Sequence, residues 1–493
     1  MLEQNSLEAA SQTGNINLKE TKLNHKSMIL AIICLAQFMV VLDVSVVNVA
    51  LPAIHRALGF SASNLSWVVN SYTITFAGFL LLGGRAQDIF GHRRIFLLGL
   101  FIFTASSFLG GASQNQIELI SARTLQGFGG AILSPATLTI LISTFRDDKE
   151  RSRALGLWSA VAAGGGAAGA LVGGTLTDLI SWRWILFVNI PIGIVAFVLA
   201  SRILVKDSAF KKDVNLDLVG AILITSGLSL FIYGIVETYS HPWASTFTLS
   251  VIICSVLILL AFVIHEAKFA KNPLIPFGIL KSRSLIASNG VMFIMSAAGF
   301  SMWFFVSLYM QNVLDFSPLK AGLAFIPQTV AIAIGATVSS RLLVKVGAKP
   351  FLIIGPILAS IGLFFMTQVS PTESYQSVIL IPGSLMTLGL GFTFAPVASL
   401  ATQGILPKYA GLASGVVNTS RQIGGAIGLA TLAAIAANSS KLYLTNYHKR
   451  VTLQTINMSQ THGWSVAFLI SAILVLLGTL VALTIPKMEK RTN

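Results

Sequence analysis

Asp43 sits inside an apolar run that begins at Met28 and continues to Leu51, long enough to cross a bilayer as a helix. Of the 18 carboxylates in the chain, it is the only one well inside a membrane-length segment. A lone carboxylate in hydrocarbon is costly, so such a group is paired, faces a water-filled cavity, or belongs to an ion pathway. The chemistry open to it is reversible protonation. Desolvation favours the neutral acid, a neighbouring cation favours the carboxylate, and moving that cation shifts the balance. Arg123 is the candidate cation. Asp43 lies about 12 Å below the end of its helix at Leu51, and Arg123 about 10 Å below the start of its own at Gln116, at about 1.5 Å per residue. Two readings are open: a proton-coupling site, or a permanent salt bridge joining two helices.

Arg421 is the third mid-span charge, about 18 Å from the start of its helix. No carboxylate shares that helix. It either binds carbonyls and water structurally or faces a cavity and touches substrate. One Asp against two Arg does not favour dications as obligatory substrates; neutral, zwitterionic or anionic aromatic compounds fit at least as well. Asn48 and Gln126 are candidate polar groups of such a cavity, and Trp67, Tyr72 and Trp303 candidate aromatic walls, a combination that suits amphipathic ligands. The competing reading for each aromatic is contact with lipid or a neighbouring helix. No Gly-x4-Gly-Lys-Ser/Thr loop, metal-ligand spacing or Gly-x-Ser-x-Gly turn occurs, so neither ATP nor any other cofactor is called for and no enzymatic activity is expected.

The elements that must position these residues are membrane spans. Hydrophobic residues make up 54% of the 493 and charged residues 10%, whereas a soluble domain carries roughly a quarter charged residues. Apolar stretches predict fourteen helices at 28–51, 64–83, 95–113, 116–145, 152–177, 183–205, 217–238, 245–265, 284–312, 318–343, 348–369, 375–400, 409–436 and 463–485. Of the 33 Lys and Arg residues, only Arg56, Arg183, Lys320, Lys441, Lys449 and Arg450 fall on one side, with Arg123 and Arg421 inside spans. The remainder sit with the termini, which predicts cytoplasmic termini in a cell membrane. The net charge of +15 is thus a topology signal, with attraction to anionic lipid as a side effect and no nucleic-acid partner. The pairs Arg85/Arg341, Gly91/Gly347, Gly99/Gly355 and Gly169/Gly425 recur at one constant spacing. The chain therefore reads as a polar tail 1–27, a six-helix bundle 28–205, a linker 206–283 with two extra spans, a second six-helix bundle 284–485 and a tail 486–493. Parallel halves of this kind place a site between them near the midplane.

Several motifs carry a family resemblance. Leu42-Asp43-x-Ser45-x-Val47-Asn48-Val49-Ala50-Leu51-Pro52 and Trp182-Arg183-Trp184-Ile185-x-Phe187-x-Asn189-x-Pro191-Ile192-Gly193 resemble signatures of the fourteen-helix drug:proton antiporter branch of the major facilitator superfamily. The resemblance implies an all-α fold of two six-helix bundles with two inserted helices. It also implies proton coupling through Asp43 and the Arg of Arg123-x-x-Gln126-Gly127-x-Gly129, on helices that both line a central cavity. Gly84-x-x-x-Asp88-x-x-Gly91-x-Arg93-Arg94 resembles a cytoplasmic gating loop, in which Gly84 and Gly91 allow a tight turn and Asp88 either pairs with Arg93 or Arg94 or caps the positive end of a neighbouring helix; Ile89 and His92 depart from its basic pattern. Gly165-x-x-x-Gly169-Ala170-x-x-Gly173-Gly174 resembles the exporters' antiporter signature, with Ala170 where Pro is usual, and such small residues let helices touch backbone to backbone. The sequence thus predicts a monomeric, proton-driven exporter of amphipathic small molecules. The rival readings are a carrier dedicated to one metabolite, such as a vitamin, and a membrane sensor or channel without coupled transport.

Overall fold

Apolar segments of membrane length satisfy their backbone N–H and C=O groups internally by forming helices. The computed structural model describes residues 2–61, 64–145, 147–205, 217–270, 273–274, 282–403, 410–446 and 452–485, and it is helical throughout, with no strand among the described residues. The first half comprises α1 (Leu2–Leu58), α2 (Trp67–Phe90), α3 (His92–Ala112), α4 (Gln116–Thr144), α5 (Asp148–Leu179), α6 (Trp184–Phe187) and α7 (Asn189–Ile203). Two helices follow, α8 (Leu218–Val236) and α9 (Thr246–Ile264). The second half comprises α10 (Arg283–Asn312), α11 (Pro318–Ala324), α12 (Ile326–Val346), α13 (Lys349–Met366), α14 (Ile381–Thr402), α15 (Ala410–Thr445) and α16 (Leu453–Leu483). Among the described residues, thirteen stretches are long and apolar enough to cross a membrane. The 32-residue α5 supplies a further long helix.

The two halves repeat one packing scheme. In the first, α1 packs on α5, α3 on α4 and α2 on α4; in the second, α10 packs on α15, α13 on α14 and α12 on α14. Gly91 and Gly347, paired in the sequence repeat, both end a helix at positive φ (96° and 83°), a conformation that favours glycine. The halves meet where α2 touches α15, α5 touches α11, and α1 touches α10. The α8–α9 pair lies outside this frame, with α8 against α2 and α15.

Several helices run past their predicted ends, while α13 stops short of its own. The second span runs on to Phe90, so Gly84 lies within α2 and only Gly91 makes the turn. The tail expected at 1–27 is helical from Leu2. The helices expected at 409–436 and 463–485 extend to Thr445 and back to Leu453, the latter closed by a Thr452/Thr455 capping box. Apolarity marks the part of a helix in lipid; the ends that project into water need only caps and propensity. The span at 183–205 is broken between Phe187 and Asn189, because Pro191 has no N–H to give the Phe187 carbonyl.

The inserted pair is joined by a polar cluster at the start of α8 and the end of α9. Asp217 caps α8, its Oδ1 accepting from the Gly220 N–H at 2.8 Å and lying 2.8 Å from His265 Nε2. Burial would raise the Asp217 carboxyl, but the hydrogen bonds from Gly220, His265 and Glu266 outweigh it and hold the group below its usual range. A depressed acid adds stability that is complete near neutral pH and is lost as the pH falls through the lowered value. Asp217→Ala is therefore expected to cost about 1–2 kcal/mol near pH 7. The difference from wild type in thermal unfolding should shrink below about pH 4; an undiminished difference in acid contradicts the assignment.

Candidate functional site

Five side chains from four helices close around Asp43, which has no solvent exposure. Asn115 caps the start of α4 by accepting from the Glu118 N–H, and the helix carries Arg123 to the depth of Asp43. Arg123 Nη1 donates to Asp43 Oδ2 at 2.5 Å and to Gln126 Oε1 at 2.7 Å, and its Nε donates to the Val68 carbonyl at 3.2 Å. Gln126, three residues on and so on the same helix face, donates from Nε2 to Asp43 Oδ1 at 2.8 Å. Asn189 Nδ2, at the start of α7, donates to the same oxygen at 2.9 Å. Both amides also meet Ser107 Oγ, which donates to the Leu186 carbonyl. The Arg123 guanidinium lies over the Tyr72 ring, 4.5 Å from its centroid. Removing one partner of a buried pair leaves an uncompensated charge, a cost of about 3–5 kcal/mol.

The structure brings Asp43, Arg123, Gln126 and Tyr72 together and adds Ser107 and Asn189, which the sequence reading gave no role. Tyr72 and Gln126, expected on a cavity wall, are each 1% exposed inside this cluster. Asn48 turns its amide to its own helix at the Val44 carbonyl, while its carbonyl accepts from Ser307 Oγ across the seam between halves. Trp67 packs into the α2–α8–α15 seam with Ile74, Ile224 and Ala430, and Trp303 against the main apolar core, which runs through both halves. Arg421 is half-buried, with Nε donating to Asn418 Oδ1 at 3.1 Å.

The expected gating loop is placed in part. Arg93 Nη2 donates to the Ser201 carbonyl at 2.5 Å near the end of α7, and Arg85 Nη2 to the Pro273 carbonyl at 2.6 Å beyond α9. Arg94 is exposed. The Asp88 side chain lies outside the described residues. On α5, a Cβ on Gly165, Gly169 or Gly173 would come 3.2 Å from the Phe38 carbonyl oxygen, 2.5 Å from Ser45 Cβ and 2.8 Å from Val46 Cα, all on α1. Gly174 turns instead to the other half, against Pro318.

Residues 33–429 match the model of the Major Facilitator Superfamily. The chain belongs to that superfamily. Its relatives include the cephamycin export protein CmcT of Amycolatopsis lactamdurans, 41% identical over 437 residues that cover 88% of this chain and 89% of the relative. The puromycin resistance protein pur8 of Streptomyces alboniger is 36% identical over 456 residues, covering 92% and 90%. Among solved structures, a bacterial homologue of the human lysosomal transporter Spinster, inward-facing, aligns with a TM-score of 0.65 at 14% identity over 93% of this chain and 97% of its own. That likeness is one of fold. As a major facilitator the chain is a multi-pass membrane transporter, not an enzyme.

The transporter is closed at one end. Away from the end that carries Lys26 and Leu483, Ser307 Oγ donates to the Asn48 carbonyl at 2.6 Å and Gln311 Nε2 to the Val49 carbonyl at 2.7 Å. Gly174 and Gly322 bring α5 and α11 into backbone contact at the same end. Nearer the start of α5, a Cβ on Gly156, Gly164 or Gly166 would meet nothing within 4 Å.

Proposed function

We propose that the protein exports amphipathic drug-like molecules across the cell membrane in exchange for protons, with both termini in the cytoplasm and Asp43 as the proton carrier. The observation that carries this reading is the Asp43 cluster: an acid without solvent exposure, held by three donors. Each donor stabilises the carboxylate and none accepts from a protonated one, so loading a proton forces the cluster to rearrange. Those donors sit on α4 and α7, so the rearrangement acts on helix packing within the first half. The export and resistance roles in the relatives' names support the direction. In this reading the closed end faces outward and substrate enters from the cytoplasmic side. Alternating access follows when the halves rock, opening the outer end so that substrate leaves and a proton enters.

The test is purified protein in proteoliposomes with an imposed pH gradient and a fluorescent amphipathic dye. Dye movement is expected to follow the gradient and to stop when a protonophore collapses it. Flux indifferent to the gradient refutes proton coupling.

A further inference from the structure

The charges at mid-membrane depth do not balance. Asp43 is neutralised by Arg123, and its two oxygens are occupied by Arg123, Gln126 and Asn189. Arg421 on α15 has a neutral partner, Asn418, one turn back on its own helix, and that bond uses its Nε alone. A cation left in this state within a membrane span is costly. A guanidinium carries five N–H donors in a fixed fork that matches a carboxylate. The surroundings offer further donors and apolar surface. The Tyr72 hydroxyl is buried without a hydrogen-bond partner and lies within electrostatic reach of Arg421. The Phe300 ring packs 2.8 Å from where a Cβ on Gly425 would be, one turn along α15 from Arg421 and on the same face.

Resting on the transport reading above, we propose that Arg421 is a substrate-binding residue and that the substrate carries an oxyanion, a carboxylate or an ionised phenol or enol, on an aromatic body. The guanidinium takes the oxyanion, and the ring beside Gly425 takes the apolar part. Moving an anion out while a proton moves in carries charge in one direction, so transport of such a substrate responds to membrane potential as well as to the pH gradient.

The experiment uses the full-length protein in proteoliposomes and three fluorescent amphiphiles of one ring system, bearing a carboxylate, its neutral amide or a quaternary ammonium. The wild type should move the carboxylate about tenfold faster than the ammonium, a difference of about 1.4 kcal/mol, and faster still under an inside-negative potential applied to its exit. Arg421→Gln should lose about tenfold on the carboxylate and leave the amide within about twofold, and Arg421→Lys should recover part of the loss. Size-exclusion profiles and thermal unfolding verify that both variants fold. Preference for the ammonium, or an equal loss on all three dyes in a folded Arg421→Gln, overturns the inference while gradient-driven transport stands. Failure of any dye to follow the pH gradient overturns the transport reading beneath it.

Discussion

Asp43→Asn is expected to reduce gradient-driven transport to background while the protein still folds and inserts. The side chains are nearly isosteric, so packing around the site is conserved. What changes is charge. Arg123 keeps the Gln126 oxygen and the Val68 carbonyl, so it is not left without partners. The new amide can be accommodated because Asn189 Oδ1 is buried and unpartnered; rotating that amide presents an acceptor where a donor now stands. Arg123 loses its anion, so the cost should fall near the lower end of about 3–5 kcal/mol for breaking a buried ion pair, eased by the hydrogen bonds it retains. The transport defect should be far larger than this, because a carboxamide cannot carry the proton. Dye flux in proteoliposomes and thermal unfolding of the same preparations separate the two effects. Wild-type flux that still follows the gradient in Asp43→Asn would falsify the proton-carrier role. Loss of both flux and folded protein is answered by the Asn189→Ala variant, which leaves the carboxylate in place: it should fold, and its pH dependence of flux should shift.

The depth of Asp43 and Arg123 was legible because helical rise is fixed, so two charges counted from their helix ends can be matched without knowing the fold. The residues that complete the site were not. Ser107 and Asn189 are neutral, and neutral polar residues occur throughout these spans; only the packing of α3 against α4 and α7, and of α7 against α1, distinguishes these two. Gln126 carried a helix-face signal that places it beside Arg123 and Tyr72, on another helix, carried none; for neither does periodicity tell a wall of a cavity from the inside of a bundle. The repeat was legible because both halves solve one problem at Gly91 and Gly347, where a helix must end in a conformation suited to glycine. The span limits were read too short at α2, α15 and α16 because hydropathy reports lipid contact and stops where the helix enters water.

Gly174→Val is expected to push the transporter out of the closed-outer state and to suppress turnover. At this position an added Cβ comes 2.5 Å from the Pro318 carbonyl oxygen and 3.0 Å from Leu319 Cα. Both are backbone atoms of α11, which can retreat only by carrying the second half away from the first. Gly322 makes the reciprocal approach to Ala170 on α5, so no slack exists on the other side of the contact. Overpacking of this kind costs about 1–3 kcal/mol. When the outer end opens, α5 and α11 separate and the valine meets no such obstacle, so the penalty falls on one state alone. A one-sided penalty of that size shifts a two-state equilibrium by roughly 5-fold to 150-fold. The readout is a single cysteine at Asn48, whose side chain makes no bond across the seam, in a background lacking Cys34 and Cys254. Labelling from the outer face by a membrane-impermeant thiol reagent should rise by about tenfold in Gly174→Val, with transport falling in parallel. Gly156→Val is the control on the same helix, since its Cβ meets nothing within 4 Å, and it should leave labelling unchanged. Equal labelling in the Gly174 and Gly156 variants would mean that the α5–α11 contact does not gate the outer end, and the closure would then rest on the Ser307 and Gln311 hydrogen bonds to α1.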